Sequence, residues 1–297
     1  MQNTSVKKFD NAPIGVFDSG FGGLSVARKI VQKLPNENLI YLGDSARFPY
    51  GPRSLEEVDA FVQQIGAWLV ARGIKLMVIA CNSATAAGLE HAQKTFDIPV
   101  VGVVEPGARA AVLATKNRRV GVIATKATID SDAYTKAIRA LDENITVFST
   151  ATPRFVTIAE QGIRMAEGPI ENYTSLASKA YIRPAFQEIA QEYLEPLRRC
   201  DIDTLVLGCT HFPLLKALIG SVMGHKVTLI SSADEVAREV AEILSSKQNL
   251  ADAKNPVSHD FYTTGDDIDD FKSFGSRVLQ TSISSVGKVV FDEQSLA

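Results

Sequence analysis

Two cysteines sit in the same kind of place in this 297-residue chain. Cys81 follows the apolar run LMVIA, and Cys209 follows TLVLG. Each is followed by polar donors, Asn82 and Ser83 in one case, Thr210 and His211 in the other, and then by a helical pattern. A cysteine between a buried strand and a helix lies near unpaired N–H groups and the positive end of a helix dipole, which favour thiolate. A lone cysteine so placed is more often a buried structural residue. Two thiols, each with its own donors, suggest a pair that acts together. A redox pair would prefer a resolving cysteine within a short loop. Flanking a substrate carbon suits two separate strands better. One thiolate would take a proton from one face while the other thiol gives one to the opposite face, inverting the carbon without a cofactor.

An unperturbed thiol pKa of about 8.5 lets cysteine serve as acid or base after modest tuning. His211 beside Cys209, and Asp18 or Asp44 near Cys81, are the expected tuning groups. Ser19, Asn82, Ser83 and Thr210, with backbone N–H groups, could stabilise the charge of a carbanion-like state. No cofactor lysine or metal-ligand cluster is apparent. His91, His225 and His259 have no cysteine or carboxylate at metal-ligand spacing. Cys200 follows Arg198-Arg199 away from any strand end and reads as incidental.

The elements that must carry these residues read as an alternating α/β chain. Apolar strands are expected at 14–17, 39–42, 76–80, 99–104, 119–124, 204–207 and 227–230. Helical patterns follow at 24–34, 55–72, 84–96, 130–141 and 231–244, the last with a capping box at Ser232–Glu235. Residues 163–198 look helical with breaks at Gly168-Pro169 and Pro184, and 261–265 and 285–291 look like closing strands. Asp18-Ser19-Gly20 ends the first strand and opens a glycine-rich turn. Thr125 stands at the matching point of a second strand, RVGVIA, that resembles the first. Tyr50 lies on a turn fixed by Pro49 and Gly51. Trp68 reads as core. A boundary is expected near Glu105-Pro106-Gly107, so the chain divides into 1–105 plus 232–297, carrying Cys81, and 106–231, carrying Cys209. The fold class is α/β, with two similar parallel-sheet, Rossmann-like lobes facing one another across a cleft that holds the site.

Composition agrees with a globular chain: 45% hydrophobic, 22% charged, net charge -3. Dispersed lysine and arginine argue against nucleic acid. No apolar stretch is long enough to span a bilayer, and the first residues carry no apolar leader, so a cytoplasmic protein is expected. The cysteines should be free thiols there.

Seven motifs then acquire a common meaning: IGVFDSGFGGLSV, YLGDSARFPYG, ACNSATA, VVGVVEPG, VGVIATKATIDS, LVLGCTHFPLL and FYTTGD. Together they resemble the cofactor-independent aspartate/glutamate racemase family, and within it the glutamate racemases, from about Ile14 to Phe291. The resemblance implies that Cys81 and Cys209 are the two acid/bases, with His211 and Asp18 assisting. It implies substrate contacts from Asp18, Ser19, Tyr50, Gly51, Asn82, Ser83, Thr210 and His211, with Thr125 a weaker candidate. It also implies glutamate as the small-molecule partner, no cofactor, no metal, a homodimer as an option, and D-glutamate supplied to peptidoglycan synthesis. Rival readings are a racemase of the same fold acting on aspartate or another amino acid, and a non-catalytic amino-acid-binding relative. The chain departs from the family pattern with Ser83 for threonine, with Phe48 and Phe212 for tyrosine, without a Cys-Pro pair in Thr152–Gly162, and with a longer segment over 163–185.

Overall fold

The structure is a computed structural model that describes residues 10–165, 182–254 and 256–291. Most of the 163–185 segment, with the break at Gly168-Pro169, lies outside the described residues. The chain opens with β1 (Ile14–Asp18), α1 (Leu24–Lys33), β2 (Leu39–Gly43), α2 (Leu55–Val70), β3 (Leu76–Ile79), α3 (Asn82–Thr95) and β4 (Val100–Val101). β1, β2 and β3 are apolar and fully buried, as strands of a parallel sheet covered on both faces must be. α2 starts at a true cap, with Ser54 Oγ accepting the Glu57 N–H at 3.2 Å.

The second sheet follows: α4 (Val104–Ala114), β5 (Arg119–Ala124), α5 (Lys126–Asp130), α6 (Ala133–Leu141), β6 (Thr146–Ala151), α7 (Arg154–Met165), α8 (Pro184–Arg198) and β7 (Thr204–Gly208). A 3-10 turn (Phe212–Leu215) then leads into α9 (Lys216–Met223) and β8 (Thr228–Ile230). Finally α10 (Ala233–Ser246), β9 (His259–Thr263), α11 (Ile268–Leu279) and β10 (Gly287–Lys288) return to the first sheet.

Sheet one has six strands in the order β10-β9-β2-β1-β3-β4, and sheet two has four in the order β6-β5-β7-β8. All pairings are parallel. The first four strands of each half therefore share one order, second-first-third-fourth. In both, the chain leaves the first strand in one direction and returns for the third in the other. That reversal opens a crevice at the carboxyl ends of the first and third strands. Two parallel-sheet α/β regions stand as the sequence suggested.

Several boundaries differ from expectation. The strand expected over 99–104 is only Val100–Val101, and Glu105-Pro106-Gly107 opens α4 instead. Proline fits there because first-turn N–H groups have no helical partner in any case. The helix expected over 130–141 begins only at Ala133, and a separate short helix, Lys126–Asp130, precedes it across Asp132, whose φ is 57°. The capping box at Ser232 does not form, since Ser232 is itself helical (φ -68°, ψ -16°) and its hydroxyl caps nothing. Pro184 begins a helix where a break was expected. The closing strand over 285–291 shrinks to Gly287–Lys288. Helix α11 escaped the sequence reading. Trp68 is half-buried at the core's edge, edge-on to Tyr262 at 5.1 Å with Arg72 over its face.

At the end of sheet two remote from the crevice, Asp203 ties the turn before β5 to the start of β7. Its carboxylate accepts Thr115 Oγ1 at 2.7 Å, the Lys116 N–H at 2.6 Å, the Asn117 N–H at 2.8 Å and Thr204 Oγ1 at 2.9 Å. Desolvation alone would raise its pKa; these donors outweigh it and hold the carboxyl below its ordinary range. A depressed carboxyl stabilises the fold above its ordinary pKa and loses that contribution as pH falls through the folded value. Asp203→Asn should therefore lower Tm at neutral pH by about 2–4 °C, on the order of 1 kcal/mol. The gap to the parent should close as pH falls below about 4. Thermal melts across pH 2–7 measure it, and a gap that does not narrow at all between pH 5 and pH 2 would show that the charge is not what matters.

Candidate active site

The crevices of the two sheets face one another, and polar residues stand where the apolar strands end. From the first lobe, β1 delivers Asp18 and Ser19. Asp18 is fully buried and accepts the Gly20 N–H at 3.1 Å. β3 ends at Cys81, which occupies the N-cap of α3 in extended conformation, its carbonyl accepting the Thr85 N–H at 2.8 Å. The Cys81 thiol lies 3.8 Å from the Ser19 hydroxyl. Asn82 and Ser83 form the first turn of α3 and are buried.

From the second lobe, β7 delivers Cys209, Thr210 and His211, all buried. His211 Nδ1 lies 3.9 Å from Cys209 Sγ, and Nε2 lies 3.5 Å from Oε1 of Glu160 on α7. That second distance is ion-pair reach, too long for a strong hydrogen bond, and Nε2 has no closer partner. β5 delivers Thr125 at the head of α5.

Among the contacts between the lobes, three run between side chains close to the cavity. Thr210 Oγ1 donates to Asp18 Oδ1 at 3.3 Å. The Tyr134 hydroxyl, from α6, donates to Asn82 Oδ1 at 2.7 Å. Ser83, Thr125 and Thr128 share a hydroxyl cluster, with Ser83–Thr125 at 2.9 Å and Thr125–Thr128 at 3.1 Å. Glycine permits the approach: a Cβ on Gly22 would stand 2.6 Å from Thr210 Oγ1, and one on Gly51 would stand 2.8 Å from Thr125 Cβ.

Between the lobes lies a cavity of about 360 Å³ lined by both cysteines. That is small-molecule size. Of the expected residues, Ser19, Tyr50, Gly51, Asn82, Ser83, Thr125, Thr210 and His211 also line it. Asp18 does not; it stands behind Thr210. No cluster of three metal-ligating side chains occurs among the described residues.

Comparison with known proteins bears on what this cavity is for. Residues 14–240 match the model of the family described as Asp/Glu/Hydantoin racemase. The chain belongs to the Asp/Glu/hydantoin racemase family.

It is accordingly an isomerase of the racemase type. A glutamate racemase of Bacillus cereus is 44% identical over 284 residues, covering 96% of this chain and 99% of the relative. The crystal structure of a glutamate racemase isoform from Bacillus anthracis superposes with a TM-score of 0.84 at 43% identity, covering 95% of this chain and 98% of that one. The glutamate racemase of Francisella tularensis, solved in complex with D-glutamate, gives 0.83 at 33% identity, covering 95% and 98%.

The two thiols of this family member have unlike surroundings. Burial pushes the Cys81 thiol up, and the Asp18 charge pushes it further, against the Ala84 N–H and the Ser19 hydroxyl. The helix N-terminus therefore does not prevail at Cys81, contrary to the thiolate expected there. Burial raises the Asp18 carboxyl too, opposed by the charge of His211 and by hydrogen bonds from Gly23, Gly20 and Thr210. His211 behaves oppositely. Burial would lower its pKa, yet hydrogen bonding and charge from Cys209 and Glu160 raise it to about 10.

Asp44, expected beside Cys81, spends its oxygens elsewhere. It accepts from Tyr50, from Arg47 at 2.7 Å and from Thr264 at 2.7 Å. It thus fixes the Tyr50 ring in the cavity wall. Phe212 is buried edge-on to Phe155 at 5.6 Å, where a hydroxyl would have needed a partner. Cys200 is a free, partly exposed thiol against the Pro196 carbonyl, away from the cavity. The sequence reading missed Tyr134, whose bridge joins residues far apart in the chain.

Glu160 supplies a testable control on His211. A histidine raised above its unfolded value of about 6.5 adds stability below that pH and loses it as pH rises through the folded value. Glu160→Gln removes one of the two groups that offset burial, so the His211 ring should titrate at lower pH, read by NMR of its C–H protons. The stability difference between parent and variant should be largest near pH 6 and shrink toward pH 10. A titration midpoint unchanged from the parent would show that Cys209 alone holds the proton.

Proposed function

We propose that the protein is a glutamate racemase that interconverts L- and D-glutamate with Cys81 and Cys209 as its two acid/bases. The observation that carries this reading is one cavity with a cysteine from each lobe in its wall. The glutamate racemases that match over nearly their whole length support glutamate as the substrate.

Cys209, with His211 as its proton partner, takes the α-proton of L-glutamate. Cys81, held protonated by burial and the Asp18 charge, gives its proton to the opposite face. The reverse reaction exchanges the roles. The developing negative charge runs onto the α-carboxylate, where Asn82, Ser83, Thr125 and Thr210 offer amide and hydroxyl groups in the cavity wall. Ser19 and Tyr50-Gly51 complete the substrate contacts, and Asp18 orients Thr210 from behind. We assign the lobes as 1–105 plus 232–297 and 106–231. The reaction needs no cofactor, because the thiols supply both protons. No helix among the described residues is long and apolar enough to cross a membrane, and we place the enzyme in the cytoplasm, supplying D-glutamate for peptidoglycan synthesis.

The test is α-proton exchange in deuterated water, followed by NMR, with racemisation followed by circular dichroism. Cys81→Ala and Cys209→Ala should each abolish racemisation. Any slow exchange that survives should come only from L-glutamate in Cys81→Ala and only from D-glutamate in Cys209→Ala. Cys200→Ala should racemise as the parent does. A cysteine-81 or cysteine-209 variant that still racemises would mean one base serves both faces, and the two-thiol reading would fall.

A further inference from the structure

Among the described residues that line the cavity, Lys126 is the sole lysine or arginine. It is the first residue of α5, a helix of five residues, and its Nζ pairs with Asp130 at the other end. Helix stability does not account for that pair. A cation at the first position and an anion at the last both oppose the helix dipole. Lysine before aspartate is also the weaker order at a spacing of four. Both side chains are largely exposed, 69% and 55%, and such surface pairs contribute little.

The backbone beneath Lys126 is nevertheless firmly placed. The Ala127 N–H donates to the Gly51 carbonyl at 3.0 Å, across the lobes. Thr125, on the other side, packs against Gly51 and joins the buried hydroxyl cluster. The lysine backbone is thus fixed at the cavity rim, and its exposed ammonium rests on Asp130.

Of the other charged groups in the wall, Glu160 and His211 answer one another, which leaves Lys126 as the cation able to meet a substrate's second carboxylate. We propose that Lys126 is the specificity-determining cation of the cavity mouth: it exchanges Asp130 for the side-chain carboxylate of the incoming amino acid, and so selects acidic over neutral substrates. This rests on the glutamate reading above. Asp130 serves as a resting counter-ion that holds the ammonium at the rim and competes with the substrate for it. Because the contact forms at the mouth and away from the α-carbon, it favours ground state and transition state equally, and so acts on KM. An exposed pair also weakens with ionic strength.

The experiment is steady-state racemisation of L-glutamate by Lys126→Gln, Lys126→Glu and Asp130→Asn, at low and high salt, beside calorimetric binding of glutarate, a dicarboxylate with no reacting proton. Lys126→Gln should raise KM about five-fold and leave kcat within about two-fold, the scale of one exposed ion pair. Lys126→Glu should raise it further, and Asp130→Asn should lower it. Glutarate affinity should move in parallel, and the salt dependence of kcat/KM should flatten in Lys126→Gln. Unchanged KM and glutarate affinity in Lys126→Gln would overturn the proposal. So would a loss confined to kcat, or a fall in melting temperature that accounts for the lost activity. If the parent racemises aspartate and not glutamate, the glutamate reading fails separately, and the same KM-against-kcat comparison with aspartate decides the role of Lys126.

Discussion

A buried carboxylate holds the two halves of this protein at a fixed spacing. Asp18 is fully enclosed, and an enclosed carboxylate is costly unless donors surround it. The first lobe supplies backbone N–H groups from its own turn, but a side-chain donor comes from Thr210 of the second lobe. Separating the lobes would strip that donor away. The bridges from Tyr134 to Asn82 and from Thr125 to Ser83 add to the same constraint. Glycine at 22 lets its turn approach Thr210, and glycine at 51 lets its loop approach Thr125. Cavity width, and with it the spacing of the two thiols, follows from these contacts.

The shared strand order explains why the thiols face each other. In each sheet the third strand returns beside the first, and the crevice opens where the direction reverses. Cys81 ends the third strand of one sheet and Cys209 the third strand of the other. Asp18 and Thr125 end the two first strands. A strand end is a good place for such groups, since the sheet fixes the backbone while the following turn leaves the side chain at the cavity.

What the sequence revealed and what it hid follow from the range of the interactions involved. Fully buried parallel strands are short apolar runs, so β1, β2, β3, β5 and β7 could be read directly. Polar residues directly after such runs marked most of the cavity wall. Glu105-Pro106-Gly107 misled because it has the chemistry of a turn, while a helix's first turn tolerates the same residues. Ser232 has the chemistry of a cap, yet its own helical backbone leaves the hydroxyl unused. In α11 the stripe of Phe271, Phe274 and Val278 is interrupted by glycine and serine, which hid its period. Tyr134 and Lys126 depend on the meeting of two lobes, and no local pattern encodes that. The unequal surroundings of the two thiols were hidden for the same reason, since burial is a property of the assembled fold.

That inequality has a thermodynamic consequence for the proposed reaction. Mirror-image amino acids have equal free energies in water, so the equilibrium constant for their interconversion is unity. The ratio kcat/KM must then be the same from either enantiomer, however the protein is built. Yet Cys81 shares its enclosure with a carboxylate, while Cys209 stands beside an imidazole backed by Glu160. The protein is thus chemically lopsided around a balanced reaction. Its asymmetry can surface only as a compensated difference, with the enantiomer that turns over faster also requiring proportionately more substrate to half-saturate the site.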